Sequence, residues 1–275
     1  MIQRRRWMML RAFGIIIALI GMLFPVYWMF KSALETQLEI FHAPPYLFPP
    51  APSLDALIAV FPVVAPTLAH SLIIAIGCVV LTTALAAPAG FALAHLNLRG
   101  GAVVLLILLL ATTFPSIMYL TPLFLTYYHL GLLNSYLGVI LADSTYSVPL
   151  AVIIIYTYMR TLPLAVIEAA LIDGASLWTA FAVIIVPIAV PGIVTGAIFA
   201  FLAGWGDFIF ALTLTSGQQI MPASIAVYTY ISGEKQVSWN LALSAAVYLA
   251  IPVAIALIIA QRFITAGLSA GALKG

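Results

Sequence analysis

Glu168-Ala-Ala-Leu-Ile-Asp-Gly-Ala-Ser-Leu-Trp-Thr-Ala-Phe-Ala-Val-Ile-Ile-Val-Pro187 is the stretch on which the fold turns, because it interrupts nearly continuous hydrocarbon with two carboxylates and a run of small residues. Thr161 is placed to cap a short helix, with Pro163 tolerated in its first turn, where a missing N–H costs nothing. That helix is predicted to run to about Ile172 and to stop at Asp173-Gly174, since glycine readily takes the left-handed conformation after a helix. Ser176 or Asp173 then caps a second helix, which continues through Phe181 into the next apolar run. The expected product is a helix-turn-helix on the membrane face, with small residues allowing close approach by a partner.

The membrane setting follows from composition. Of 275 residues, 65% are hydrophobic and only 7% charged, with a mean hydropathy of +1.21. A soluble domain of this size would need far more surface charge, so the chain is read as an integral, all-α membrane protein. At about 20 apolar residues per crossing, the length allows roughly six spans. One cysteine, Cys78, lies in an apolar run, which excludes a disulfide within the chain and suggests a small buried hydrophobe. The histidines at 42, 70, 95 and 129 have no ligand spacing, so no metal site is expected.

The first span is predicted over about Ala12 to Phe30. It is long and lacks a following small-residue cleavage site, so it reads as retained rather than as a signal peptide. From Lys31 to about Pro66 the proline density argues for an external loop with a short helix near Leu54 to Phe61. Further spans are expected over about Leu68 to Ala94, Ala102 to Thr126 (interrupted by Pro115 and Pro122), Tyr136 to Tyr158, Ala182 to Thr213 and Leu241 to Phe263. Thr215 to Trp239 reads as a polar segment with a short helix near Pro222 to Tyr230. The whole chain is taken as one permease-sized transmembrane domain, 1–275, with the cytoplasmic loop at 161–182 and a small, glycine-rich tail at 264–275.

Charge orients these spans. With the amino terminus inside, Arg4, Arg5, Arg6, Arg11, Arg99, Arg160, Arg262 and Lys274 fall on the cytoplasmic side, and only Lys31 and Lys235 fall outside. The ten basic residues thus divide eight to two, as the positive-inside rule requires. Both termini and the Glu168 loop are placed in the cytoplasm of a bacterial or archaeal cell, beneath its cytoplasmic (inner) membrane.

The loop resembles the signature of ATP-binding-cassette importer permeases: Glu-Ala-Ala, three residues, Gly, nine residues, Ile, one residue, Leu-Pro. Here Glu168-Ala169-Ala170 is followed by Gly174, Ile184, Val186 and Pro187, with Val for Leu the departure in that core. Phe24-Pro25-Val-Tyr-Trp-Met, Asn134-Ser-Tyr-Leu-Gly-Val-Ile-Leu and Trp205-Gly-Asp-Phe-Ile-Phe-Ala look like carbohydrate importer permeases. The ending Gln261-Arg-Phe-Ile-Thr-Ala-Gly-Leu-Ser-Ala-Gly-Ala-Leu-Lys-Gly is similar to the second permease of maltose-type systems. Gly206 stands where many relatives carry Asn, which leaves a polar contact near the pathway open.

The resemblance implies a type I importer permease fold of six transmembrane helices and a multi-component machine. Its other parts would be a second permease forming a heterodimer, two cytoplasmic ATPases binding ATP and Mg, and an external solute-binding protein, all in contact with membrane lipids and not with nucleic acid. It assigns the ATPase coupling helix to Glu168, Ala169, Ala170, Asp173, Gly174 and Pro187. This chain carries no Gly-x-x-x-x-Gly-Lys-Ser/Thr phosphate loop and is expected to bind no cofactor and catalyse no reaction. Glu168 reads either as an anchor accepting partner hydrogen bonds or as a solvated helix face.

Asp143 and Asp207 stand out because an acid at mid-membrane costs about 3 kcal/mol or more unless it faces a cavity or a partner. A sugar offers hydroxyl donors to a carboxylate, and Tyr146, Trp205 and Trp239 offer rings to stack on its apolar face. The pathway reading therefore names Asp143, Tyr146, Trp205, Asp207 and Trp239; for both acids a helix-positioning hydrogen bond stands beside it. A secondary transporter, ion- or proton-coupled, is the competing class; it would usually show internally repeated halves, which are not evident here, and would leave the loop signature unexplained. Intramembrane enzymes lack support, since neither His-Glu-x-x-His nor Gly-x-Ser-x-Gly occurs. The identity of the solute is not legible.

Overall fold

The computed structural model describes residues 2–216, 219–232 and 237–272; Lys235, Lys274 and Gly275 lie outside them. Among the described residues the chain is helical and has no strand. In order come α1 (Ile2–Ala33), α2 (Gln37–Ile40), α3 (Asp55–His95), α4 (Gly101–Thr113), a 3₁₀ turn (Ser116–Tyr119), α5 (Leu120–Leu130) and α6 (Tyr136–Met159). Then follow α7 (Leu164–Ile172), α8 (Leu177–Thr179), a π turn (Ala180–Ile185), α9 (Val186–Gly206), α10 (Ile209–Leu214), α11 (Ala223–Ser232) and α12 (Trp239–Ala272). Five helices are long and apolar enough to cross a membrane, and the α4–α5 pair, bent by 96°, would make a sixth. The chain divides into two compact units, Met1–Pro66 with Ala226–Ile251, and Thr67–Ile225 with Pro252–Gly275.

Several boundaries differ from expectation. The prolines at 62 and 66 do not keep the chain out of helix: α3 starts at Asp55 and runs unbroken through Pro62, Pro66 and Pro88. Each proline removes one backbone hydrogen bond, but leaving the helix within hydrocarbon would strand several more. The third span is not one continuous rod. Phe114 is extended (φ −73°, ψ 130°), the conformation imposed by the proline that follows it. The fifth span ends at Gly206, well before Thr213, because Asp207 turns extended and opens a separate short helix. The segment expected as a loose tail is helical backbone to Ala272.

In the first unit, an ion pair rather than a loop closes α1. Lys31 Nζ sits 2.6 Å from Glu35 Oε2, both side chains buried, and lies 4.4 Å from the centre of the Trp28 ring. A capping box follows, with Thr36 and Glu39 exchanging side-chain and backbone hydrogen bonds around α2. Gln37 ties this corner to α12, donating to the Val237 carbonyl (3.1 Å) and accepting from the Trp239 backbone N–H (2.8 Å).

The second unit carries the larger core. Phe91 of α3, Val152, Ile155 and Met159 of α6, Ile167 of α7 and Ile185 before α9 form one buried cluster. Small residues set how closely these helices approach. A Cβ on Gly192 would fall 2.5 Å from the Tyr158 ring, and one on Gly90 would fall 3.0 Å from the Tyr156 backbone nitrogen. Helices α6 and α9 therefore pack as a pair along their length, joined at one end by the α7–α8 loop.

Candidate functional site

Two places in the second unit carry the predicted residues: the α7–α8 loop and a cavity near the opposite ends of α6 and α9. In the loop, Asp173 N–H and Gly174 N–H close α7 onto the Ala169 and Leu171 carbonyls. Gly174 is left-handed (φ +86°), as the sequence required. Of the two candidate caps, Ser176 opens α8, its oxygen accepting from the Thr179 N–H at 3.1 Å. Thr161 does not cap α7; its hydroxyl donates back to the Tyr158 carbonyl, and Pro163 occupies the N-cap without a side-chain bond. Pro187 explains the π turn. It has no N–H for the Val183 carbonyl, and its ring crowds that position, so the preceding backbone widens.

The loop's faces divide differently from the motif. Ile167 and Ala170 are buried against the chain's own core, so Ala170 packs inward rather than towards a partner. Glu168, Ala169 and Asp173 are exposed, and Glu168 makes no hydrogen bond among the described residues. Beside them stand side chains that the motif did not single out: Ile172 is 85% exposed and Trp178 67%. Leu177 and Trp178 join Phe91, Leu96 and Phe181 around an apolar groove of about 350 Å³. The available signal was their place: large apolar residues flanking a glycine turn beyond the end of a span.

The cavity holds about 510 Å³ and is lined by Asp143 and Tyr146 of α6, Leu202, Ala203 and Gly206 of α9, Asp207 and Phe210, and the break after α4 (Thr112 to Ser116). Asp143 is 3% exposed, and its hydrogen-bond partner is the Cys78 thiol, 3.8 Å from Oδ2. Ser147, one turn on, shares a 2.7 Å hydrogen bond with Thr82 of α3, so the polar face of α6 is turned inward. Asp207 serves the cavity and the backbone together. Its carboxylate accepts the Phe210 and Ala211 N–H groups at 3.2 and 2.7 Å, capping α10, while Ser224 donates to its carbonyl at 2.6 Å.

Asp143, Tyr146 and Asp207 thus share one cavity, and Gly206 forms part of its wall. Trp205 does not line it. That ring is buried, stacked 5.7 Å from Phe201, and borders a separate apolar cleft with Leu68, Leu72 and Ile255. One position along a helix rotates a side chain by about 100°, which carries Trp205 off the face presented by Gly206. Trp239 belongs to the other unit, where it begins α12. Thr112, Thr113 and Ser116 were not anticipated, although Thr-Thr-Phe-Pro-Ser was legible as a polar interruption of an apolar run.

Residues 86–269 match the family described as binding-protein-dependent transport system inner membrane component. The chain belongs to this family. It is 32% identical over 268 residues to the sulfoquinovosyl glycerol transport system permease protein of Agrobacterium fabrum, covering 97% of this chain and 94% of that one. It is 34% identical to the trehalose transport system permease protein of Mycobacterium tuberculosis, over 92% of this chain and 93% of that protein. Among solved structures, a chain of a bacterial ABC transporter involved in the import of the acidic polysaccharide alginate has the same fold. Its TM-score is 0.79 at 19% identity, over 94% of this chain and 97% of that one. This inner membrane component is a transport subunit rather than an enzyme.

Proposed function

We propose that this permease forms half of the translocation pathway for a sugar or polyol, and that partner ATPases drive it through the α7–α8 loop. One observation carries the reading. Helices α6 and α9 hold the acidic cavity between them near one end and are joined by the loop at the other. From Asp143 to Met159 at 1.5 Å per residue, the separation along α6 is about 24 Å. A push on the loop therefore reaches the cavity through two packed helices without a flexible joint. Relatives named for trehalose and for sulfoquinovosyl glycerol support a carbohydrate class of solute.

The exposed face of Glu168, Ala169, Ile172 and Trp178 is the docking surface for an ATPase that binds ATP and Mg. A second permease completes the pathway and an external binding protein delivers the solute. Asp143→Ala is expected to lower solute uptake at least tenfold while the ATPases stay attached and hydrolyse ATP. Asp143→Asn keeps part of the uptake if hydrogen bonding, not charge, is required. Uptake and ATPase rate measured in one reconstituted preparation decide the point; unchanged uptake in the alanine variant removes Asp143 from the pathway.

The eight-to-two basic split supports cytoplasmic termini. Cysteines introduced near Gly275 and at Trp178 are expected to react with a membrane-impermeant maleimide only after the cells are opened, whereas one at Phe48 reacts in intact cells. Labelling of the Gly275 or Trp178 position from outside reverses the orientation.

A further inference from the structure

We propose that the cavity between α4, α6 and α9 selects uncharged, polyhydroxylated solutes and discriminates against anionic ones. The inference rests on the cavity belonging to the pathway and adds the charge class of what passes. Its wall carries Asp143 and Asp207 and no Lys, Arg or His. Asp143 is buried with a weak thiol as its partner among the described residues, so no cation neutralises it.

The neighbouring hydroxyls sharpen the bias. Thr112 and Thr113 each donate their one proton backwards, to the Leu109 and Leu110 carbonyls at 2.7 Å. What they turn to the cavity is lone pairs. Carboxyl and threonine oxygens together make a wall rich in acceptors, which is complemented by the hydroxyl donors of a neutral sugar or polyol. A carboxylate or sulfonate on the solute brings only more acceptors and like charge, an arrangement that costs several kcal/mol when desolvated. Gly206 leaves room at the centre, because a Cβ there would meet nothing within 4 Å.

That open position gives the test. Gly206→Cys is placed in the full importer, reconstituted in proteoliposomes; native Cys78 is fully buried and stays as the unreactive background. The new thiolate attacks a methanethiosulfonate, forming a mixed disulfide and releasing methanesulfinate. Two reagents of similar size are compared, one carrying trimethylammonium and one sulfonate, each rate divided by its rate with free 2-mercaptoethanol.

The expected result is a preference for the cationic reagent of roughly tenfold or more, the scale on which a charged, low-dielectric cleft concentrates counter-ions. Asp143→Asn in the same background should reduce that preference severalfold. Ser116→Cys, on the opposite wall, reports the same bias if Gly206→Cys fails to assemble. Equal rates, a faster anionic reagent, or no reaction at either position overturns the proposal. Solute uptake with no charge preference leaves the pathway standing and removes the selectivity. Charge preference without any effect of the attached cysteine adduct on uptake keeps the cavity's field but removes it as the solute route.

Discussion

Gly204→Leu is expected to prevent the permease from accumulating as a folded, monodisperse protein. A Cβ at Gly204 already falls 2.8 Å from Cys78 Sγ and 3.0 Å from the Ala75 Cα. Backbone cannot swing aside as a side chain can, so α3 and α9 must separate, and separation undoes the packing that buries Ala75 and Cys78. Forcing extra carbons into a well-packed site typically costs about 1–3 kcal/mol; here the obstacle is main chain, which places the cost at or above the upper end. The paired control is Gly21→Leu in α1, where a Cβ would touch nothing within 4 Å and the change should lie within about 0.5 kcal/mol. Thermal melting and gel filtration of the two variants in one detergent settle the comparison. Equal behaviour would mean that α3 and α9 do not approach as closely as described.

Gly174→Leu is expected to leave the protein in the membrane but to cut ATPase co-purification and solute uptake about tenfold. The space around Gly174 is open, so no clash within the chain is involved. The cost lies in the backbone: at φ +86° a side chain meets the left-handed penalty of about 1–2 kcal/mol, which is roughly a factor of ten in the population of the correct turn. Gly174→Asn separates this cause from direct contact, since Asn tolerates the left-handed region better than Leu. If Asn restores coupling, backbone geometry is what the glycine supplies. Should Asn be as damaged as Leu, the partner requires bare backbone there. Normal co-purification with normal uptake in the leucine variant rules out the loop as the coupling element.

By itself, the sequence determined the class of molecule and the position of its coupling loop. Hydropathy dictates helices because hydrocarbon offers no partner for unpaired peptide groups. Asp173-Gly174 ended α7 where expected because the signal is local: one residue must turn left-handed, and glycine does so at least cost. Ser176 as the cap of α8 and the inward face of Asp143 with Ser147 were legible for the same reason. Each depends on residues within a turn or two of chain.

Only the tertiary structure decided which polar groups meet. Proline was a poor guide to helix boundaries in α3, since the surroundings of Pro62 and Pro66 outweighed a local preference, while Pro115 did break α4 from α5. The break brings Thr112, Thr113 and Ser116 to Asp143 and Asp207, residues separated by about thirty to ninety positions, a convergence no periodicity encodes. Trp205 and Gly206, adjacent in sequence, lie on different faces because a helix rotates by about 100° per residue. The same rotation buries Ala170 and exposes Glu168, so the alanine pair of the motif divides between core and surface. Which way each residue faces is fixed by how α6 and α9 pack, and that follows from small residues meeting large ones across the pair: Gly192 against Tyr158, Gly90 against Ile155.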